Sequence, residues 1–295
     1  SPEVLDLANA RVITLLGTWQ NPGGKTAENL LFSTHNFQLV NGTVYLAGQV
    51  LNMLPQTLRE DALSLIAGVD RPTVTVELRL DPEGEVTAAD IYPSIIRSHA
   101  RLTYEQVTAF LDRGEVGVIP AGVIATLRWL RTAGARLGAM RAARGGVELL
   151  REEAYITVDE TSREPTGIDA RDDGSANLLI ERLMVAANEA VAHWLVARGL
   201  PGTFRVHEAP PPDRVAALAE SARHFGFELG LADRLTPRGL AALQAQIAST
   251  SVAPAMRTVL AQVLGPARYT VHPGLHYGLA APLYLHFTSP IRRYA

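Results

Sequence analysis

The stretch DRPTVTVELRLDPEGEVTAADIYPSIIRSHARL, Asp70 to Leu102, decides the fold class. Val74, Val76, Leu78 and Leu80 occupy alternate positions, the period of a strand that turns one face to a core. Asp81-Pro82-Glu83-Gly84 has turn chemistry: an Asp side chain that can accept from the backbone ahead, a Pro with preset φ, and a Gly free to adopt positive φ. An extended pattern resumes after it, so the stretch predicts a β-hairpin. Directly behind, Thr103 and Gln106 have the spacing of a capping box, in which each side chain satisfies the other residue's backbone N–H at a helix start.

Working outward, NGTVYLAGQVLNMLP (41–55) alternates and reads as a strand followed by a turn, and a short helix is expected around Glu3 to Leu16. Pro120 to about Arg144 reads as an amphipathic helix with small residues that permit close packing, and Val147 to Val158 as a short hairpin or strand. SANLLIERLMVAANEAVAHWLVARG (175–199) is the strongest helical pattern, with Ser175 as N-cap and Gly199 as stop. Further helices are expected near Asp213, at Thr236-Pro237 and near Ala253-Pro254. Strands precede helices, so the class is α+β or mixed α/β.

Composition excludes several functions. With 47% apolar and 19% charged residues the chain is globular. No apolar run is long enough to span a bilayer, so no membrane partner is expected, and the first residues, SPEVLDLANARV, lack the basic flank of a signal peptide. There is no cysteine, hence neither a disulfide framework nor a thiolate metal site, which suits the cytoplasm. The formal net charge is −3, so a nucleic acid would need a local basic groove. Lys25 is the one lysine, so phosphates would be met by planar arginine forks.

The end of the chain concentrates such forks. In HFTSPIRRYA (286–295), Ser289 is a natural N-cap, Pro290 suits the first helical position, and Arg292 falls in the first turn. A helix N-terminus is already partly positive, so two arginines there call for an anion. That anion is either a bound phosphate or neighbouring carboxylates, and the stretch alone does not choose between them.

GLHYGLAAPLYLHFTSPIRRYA (274–295) resembles the signature of the ribonuclease II and ribonuclease R family, roughly H-F-G-L-A-x-x-x-Y-x-H-F-T-S-P-I-R-R-Y. NGTVYLAGQVLNMLP and SLIAGVDRP resemble two earlier segments of that family, and IIRSHARLTYEQV its I-x-S-x-A-x-L-T-Y-x-x-V. LLIERLMVAANEAVA is similar to its L-I-E-E-x-M-x-x-A-N-x-x-V-A helix, and GTFRVHEAPPPDRVAAL to its Y-R-x-H-x-x-P segment.

The resemblance implies an RNB-type nuclease domain, a mixed β-sheet core flanked by helices, over residues 41–295, with residues 1–40 unassigned. It implies 3′-to-5′ exoribonuclease activity that hydrolyses single-stranded RNA processively to nucleoside 5′-monophosphates with Mg2+ or Mn2+. Catalytic roles carry over to Arg292 as the clamp on the scissile phosphate, Tyr104 as the platform for the terminal base, and Glu181 near the 3′ nucleotide. Arg97, Arg101, His286 and Arg293, with Tyr104, are expected along the RNA path. On residue chemistry alone each has a plainer role: packing for Tyr104, an arginine partner for Glu181, a solvated face for Arg97 and Arg101, a core position for His286.

The pattern also departs from the family. Arg182 stands where a second glutamate is usual, and no metal ligand is assigned, because the family's aspartate cluster has no counterpart between Ser1 and Asn41. GIDARDDG (167–174) looks superficially similar but reads as a solvated acidic loop ending in the Ser175 cap. The domain is therefore expected to be incomplete, with the aspartate-cluster segment and the C-terminal end outside this chain. A cytoplasmic monomer is expected. The other readings are a catalytically inactive RNA-binding or scaffold relative without the metal site, and an unrelated α+β domain that binds a phosphorylated small molecule.

Overall fold

The structure is a computed structural model, described for residues 11–18, 43–46, 49–52, 61, 64–146, 153–158, 165–171, 174–226, 235–248, 250 and 252–288. Its centre is the hairpin of β4 (Asp70–Leu80) and β5 (Val86–Arg97), joined on the other side of β4 by β1 (Arg11–Thr18) in an antiparallel sheet ordered β1-β4-β5. The turn forms as its residues predict, Asp81 Oδ1 accepting from the backbone N–H of Glu83 at 3.0 Å and of Glu85 at 2.8 Å. Val76, Leu78 and Leu80 are buried, whereas Val74 is only partly so. On the opposite face Thr73 and Thr75 are buried too, because Ser94 Oγ lies 2.8 and 2.6 Å from their hydroxyls.

Residues expected to form one strand before a turn form a small hairpin, β2 (Thr43–Leu46) with β3 (Gln49–Asn52). The helix expected around Glu3 to Leu16 is overturned in its second half, since Arg11 to Leu15 pair with Arg79 to Thr75 of β4. β-branched and apolar residues at 12–16 suit either state, and a cross-strand partner decides.

The capping box closes α1 (Tyr104–Arg113): Gln106 N–H donates to Thr103 Oγ1 at 3.3 Å, and Thr103 N–H to Gln106 Oε1 at 2.9 Å. α2 (Ala121–Arg144) packs on α3 (Ser175–Ala197) through a notch of small residues. A Cβ on Gly134 would stand 2.5 Å from Leu179 Cδ1, and one on Gly138 2.5 Å from Arg182 Cζ, so a side chain there would force Leu179 or Arg182 to give up its present rotamer.

β6 (Glu153–Val158) and β7 (Pro165–Arg171) form a separate hairpin in which Asp169 pairs with Tyr155. The stretch read as an acidic loop is therefore strand through Arg171, and Asp172 and Asp173 lie outside the described residues. The N-cap of α3 is Gly174, not Ser175. A Cβ at Gly174 would lie 2.6 Å from Thr108 Oγ1, so α1 approaches too closely for a side chain, and the Ser175 hydroxyl donates instead to Asp112 of α1.

The expected later helices are α4 (Pro212–His224), α5 (Pro237–Ala248) and α6 (Ala253–Leu264). They enclose a second core around Leu218, Leu240, Ile247, Met256 and Leu260, while the first core joins β4 to α1, α2 and α3. β8 (Phe204–Val206) and β9 (Arg268–Thr270) pair, with Phe204 and Val206 buried in the first core, and Tyr277–Leu279 forms a single 3-10 turn. The α+β class stands, with every described ladder antiparallel.

Candidate functional site

α3 is the spine of the site. Its Glu181 accepts from Arg141 Nη2 of α2 at 3.0 Å, with the arginine buried and 44% of the glutamate side chain exposed. A buried guanidinium thus holds a carboxylate whose outer side faces solvent. Arg182, where the resemblance implies a second glutamate, reaches into the α2 notch and donates from Nη1 to Gly134 O at 3.4 Å. Two turns on, Glu189 accepts from both terminal nitrogens of Arg144, at 2.7 and 2.9 Å. Burial lowers the Arg144 pKa, but the hydrogen bonds and charge of Glu189, with Glu85 adding, leave it raised overall.

Between these ion pairs lies Asn188, buried to 2% exposure among alanines. Its Oδ1 accepts from Phe287 N–H at 3.0 Å and Thr288 N–H at 2.9 Å, and its Nδ2 donates to Tyr284 Oη at 3.0 Å. α3 is thereby bonded to the segment that runs into Ser289-Pro290-Ile291-Arg292-Arg293. Sequence reasoning missed both Asn188 and Arg141. The signal for Asn188 was present as one amide among Ala186, Ala187 and Ala190, since a polar group is costly to bury without partners.

Aromatic and imidazole rings line the same segment. The Tyr269 hydroxyl lies 2.6 Å from His286 Nδ1, and Arg205 Cζ sits 4.5 Å over the Tyr269 ring. The Tyr284 ring stands edge-on to His276 and His286, with centroids 5.2 and 5.6 Å away. His207 is a loop anchor, accepting from Gly278 N–H at Nδ1 (3.1 Å) with Nε2 3.0 Å from Leu264 O. Tyr277 donates to Leu235 O at 2.6 Å, and burial pushes its hydroxyl up to about 12.

Burial first, then the charges of His207, Arg205 and His286, lower His276 from 6.5 to about 3. A ring that prefers to stay neutral in the fold contributes stability that is complete above about pH 6.5 and is lost as pH falls toward 3. The expected slope from this one proton is at most about 1.4 kcal/mol per pH unit. His276→Asn keeps an acceptor for Leu279 N–H and should flatten stability between pH 6.5 and pH 5 in urea titrations. Identical slopes for the two proteins would remove His276 as the cause.

Tyr104 opens α1 with 49% of its surface exposed, and Arg101 beside it is exposed. Arg97 is engaged by Asp70 through bonds of 2.7 and 2.8 Å, which lower the aspartate's pKa and raise the arginine's. Among the described residues no hydrogen bond or ring contact joins Tyr104 to Glu181 or His286; α1 instead meets the first turn of α3, through Thr108 and Asp112. Arg292 and Arg293 lie outside the described residues.

Among the described residues no three His, Asp or Glu side chains converge as cation ligands. The described residues therefore offer no set that fits a divalent ion, and no chemical step is assigned to one. No helix of the described residues is long and apolar enough to cross a membrane.

A hairpin-centred sheet is backed by three helices, and the Glu181 helix is bonded to the Phe287–Thr288 amides that precede the arginine corner. The chain belongs to the RNB domain family, whose model matches residues 39–295. Ribonuclease R of Aquifex aeolicus is 34% identical over 254 residues, covering 85% of this chain and 36% of that protein. The chain thus spans about a third of the length of such curated relatives. Mycoplasma genitalium RNase R, solved in complex with ribose-methylated single-stranded RNA, superposes with a TM-score of 0.81 at 31% identity, covering 86% of this chain and 40% of that one. Yeast Ssd1, a pseudonuclease, shares the fold with a TM-score of 0.64 at 20% identity, covering 86% of this chain and 31% of that one.

Proposed function

We propose that this chain is the catalytic part of a 3′-to-5′ exoribonuclease that shortens single-stranded RNA processively to nucleoside 5′-monophosphates, acting as a cytoplasmic monomer. The observation that carries this reading is the bonding of Asn188, on the Glu181 helix, to the two amides that lead into the arginine corner. That bonding ties the Glu181 helix to Phe287 and Thr288, the residues that directly precede the arginine corner in sequence. Relatives named ribonuclease R, one of them solved with single-stranded RNA, support the substrate class.

In this reading Arg292 clamps the scissile phosphate through its fork and offsets charge that grows in the transition state. Glu181, oriented by Arg141, faces the 3′ nucleotide. The exposed ring of Tyr104 stacks on the terminal base, a contact worth about 1–3 kcal/mol and indifferent to sequence. Arg101, Arg293 and His286 line the backbone path, and Arg97 joins them only by leaving Asp70. Magnesium or manganese would supply water activation in the whole protein, from ligands other than the groups described above.

The test is a 5′-labelled single-stranded RNA incubated with the full-length protein, with and without magnesium. Mononucleotide release down to a short resistant end is the expected result. Binding without shortening at every magnesium concentration would replace this reading with an inactive RNA-binding relative. One observation favours that alternative: Arg182, which stands where the resemblance implies a second glutamate, is turned into the helix notch. Tyr104→Ala should lengthen the resistant end product by one or more nucleotides on a sequencing gel, and an unchanged product would take Tyr104 out of the site.

A further inference from the structure

We infer that Asn188 is a positioning residue for cleavage, which fixes the chain at Phe287 and Thr288, just ahead of the arginine corner, relative to the Glu181 helix. The inference rests on the reading of Arg292 as the phosphate clamp. The side-chain hydrogen bonds of Asn188 to Tyr284, Phe287 and Thr288 leave its own helix for residues 96 to 100 positions away. An alanine or leucine would serve α3 better at so buried a position. What the amide provides is direction. One oxygen takes two successive N–H groups, of Phe287 and Thr288, and so fixes the plane as well as the place of the chain four residues before Arg292.

The orientation of the amide is itself determined. Its nitrogen faces the Tyr284 hydroxyl, and the Tyr284 ring is held between His276 and His286. The post to which the corner is tied is also fixed, because α3 is bonded to α2 by Arg141–Glu181 on one side of Asn188 and by Arg144–Glu189 on the other. Glu181 lies seven residues back, about two helical turns, on nearly the same face. A shift of about 1 Å between a clamp and its substrate can cost about a hundredfold in rate, so a small loss of register here should be read in turnover and not in RNA affinity.

The experiment uses the full-length protein and measures kcat, RNA Kd and thermal unfolding for Asn188→Leu, Asn188→Asp, Tyr284→Phe and Arg292→Ala, with the double variants. Asn188→Leu should lower kcat by about 30- to 100-fold with Kd within about twofold. Asn188→Asp keeps acceptors for both amides and for the Tyr284 hydroxyl, and should recover most of that loss. Because Asn188 acts through Arg292, adding Asn188→Leu to Arg292→Ala should cost nothing further in kcat. A purely structural residue would lower the folded fraction and give additive losses, and either an additive double variant or an unchanged kcat per folded molecule overturns the inference. Should Asn188→Leu fail to fold, Tyr284→Phe makes the same measurement by removing one partner, with a loss of about three- to tenfold expected and an unchanged kcat overturning it. If Arg292→Ala collapses kcat and the Asn188 and Tyr284 variants do not, the positioning role alone falls. If Arg292→Ala leaves kcat intact, the clamp reading falls and takes this one with it.

Discussion

Replacing Arg292 by alanine in the full-length protein is expected to lower kcat for single-stranded RNA by about a thousandfold while changing RNA affinity about twofold. The rate effect follows from removing a charged fork aimed at a phosphate whose charge grows in the transition state. The small affinity effect follows from arithmetic: one phosphate contact is a small share of a long electrostatic footprint. Arg292→Lys should recover little, because an ammonium keeps the charge and loses the bidentate geometry. Steady-state cleavage of a labelled oligonucleotide, with filter binding in the absence of metal, separates the two quantities. Equal losses in kcat and Kd would mean that Arg292 merely binds RNA.

The largest expected effect on stability is at Glu189. Its carboxylate takes both terminal nitrogens of Arg144, whose side chain is 26% exposed against 12% for the glutamate. Glu189→Ala would leave a guanidinium mostly out of water with its main partner gone, which costs about 3–5 kcal/mol at a fully buried site. Partial exposure at Arg144 reduces that to about 2–3 kcal/mol. Glu189→Gln keeps one acceptor and should cost less. Replacing the pair together, Arg144→Met with Glu189→Leu, should return most of the loss, since breaking a pair is worse than removing it. The midpoint of urea unfolding at unchanged m-value is the readout, and a loss below about 0.5 kcal/mol for Glu189→Ala would make the pair an ordinary surface contact.

Much of the fold is legible locally. The hairpin from Asp70 to Arg97 is written twice, in its alternation and in a turn whose Asp81 binds its own loop. Thr103 and Gln106 form the capping box their spacing predicts. The errors lie where a distant partner decided. Arg11 to Leu15 became strand because β4 offered an open edge, some 60 residues on. Ser175 lost its capping role because Thr108 of α1 crowds the helix start and Asp112 takes the hydroxyl.

The site divides in the same way. Motif spacing nominated Tyr104, Glu181 and the arginine corner, because those residues sit in recognisable local patterns. It said nothing of Arg141 beneath Glu181, of Arg97 held by Asp70, or of Arg182 turned into a glycine notch. Sequence by itself determined the α+β class, the hairpin, the helix starts and the family, since these depend on periodicity and on groups within a few residues of one another. Only the tertiary structure decided which carboxylate is held and which chain segment meets which helix. Asn188 shows the reason: an amide in an alanine-rich helix gains its role from three hydrogen bonds to residues about a hundred positions away, and such a pairing is set by packing and leaves no local pattern to read.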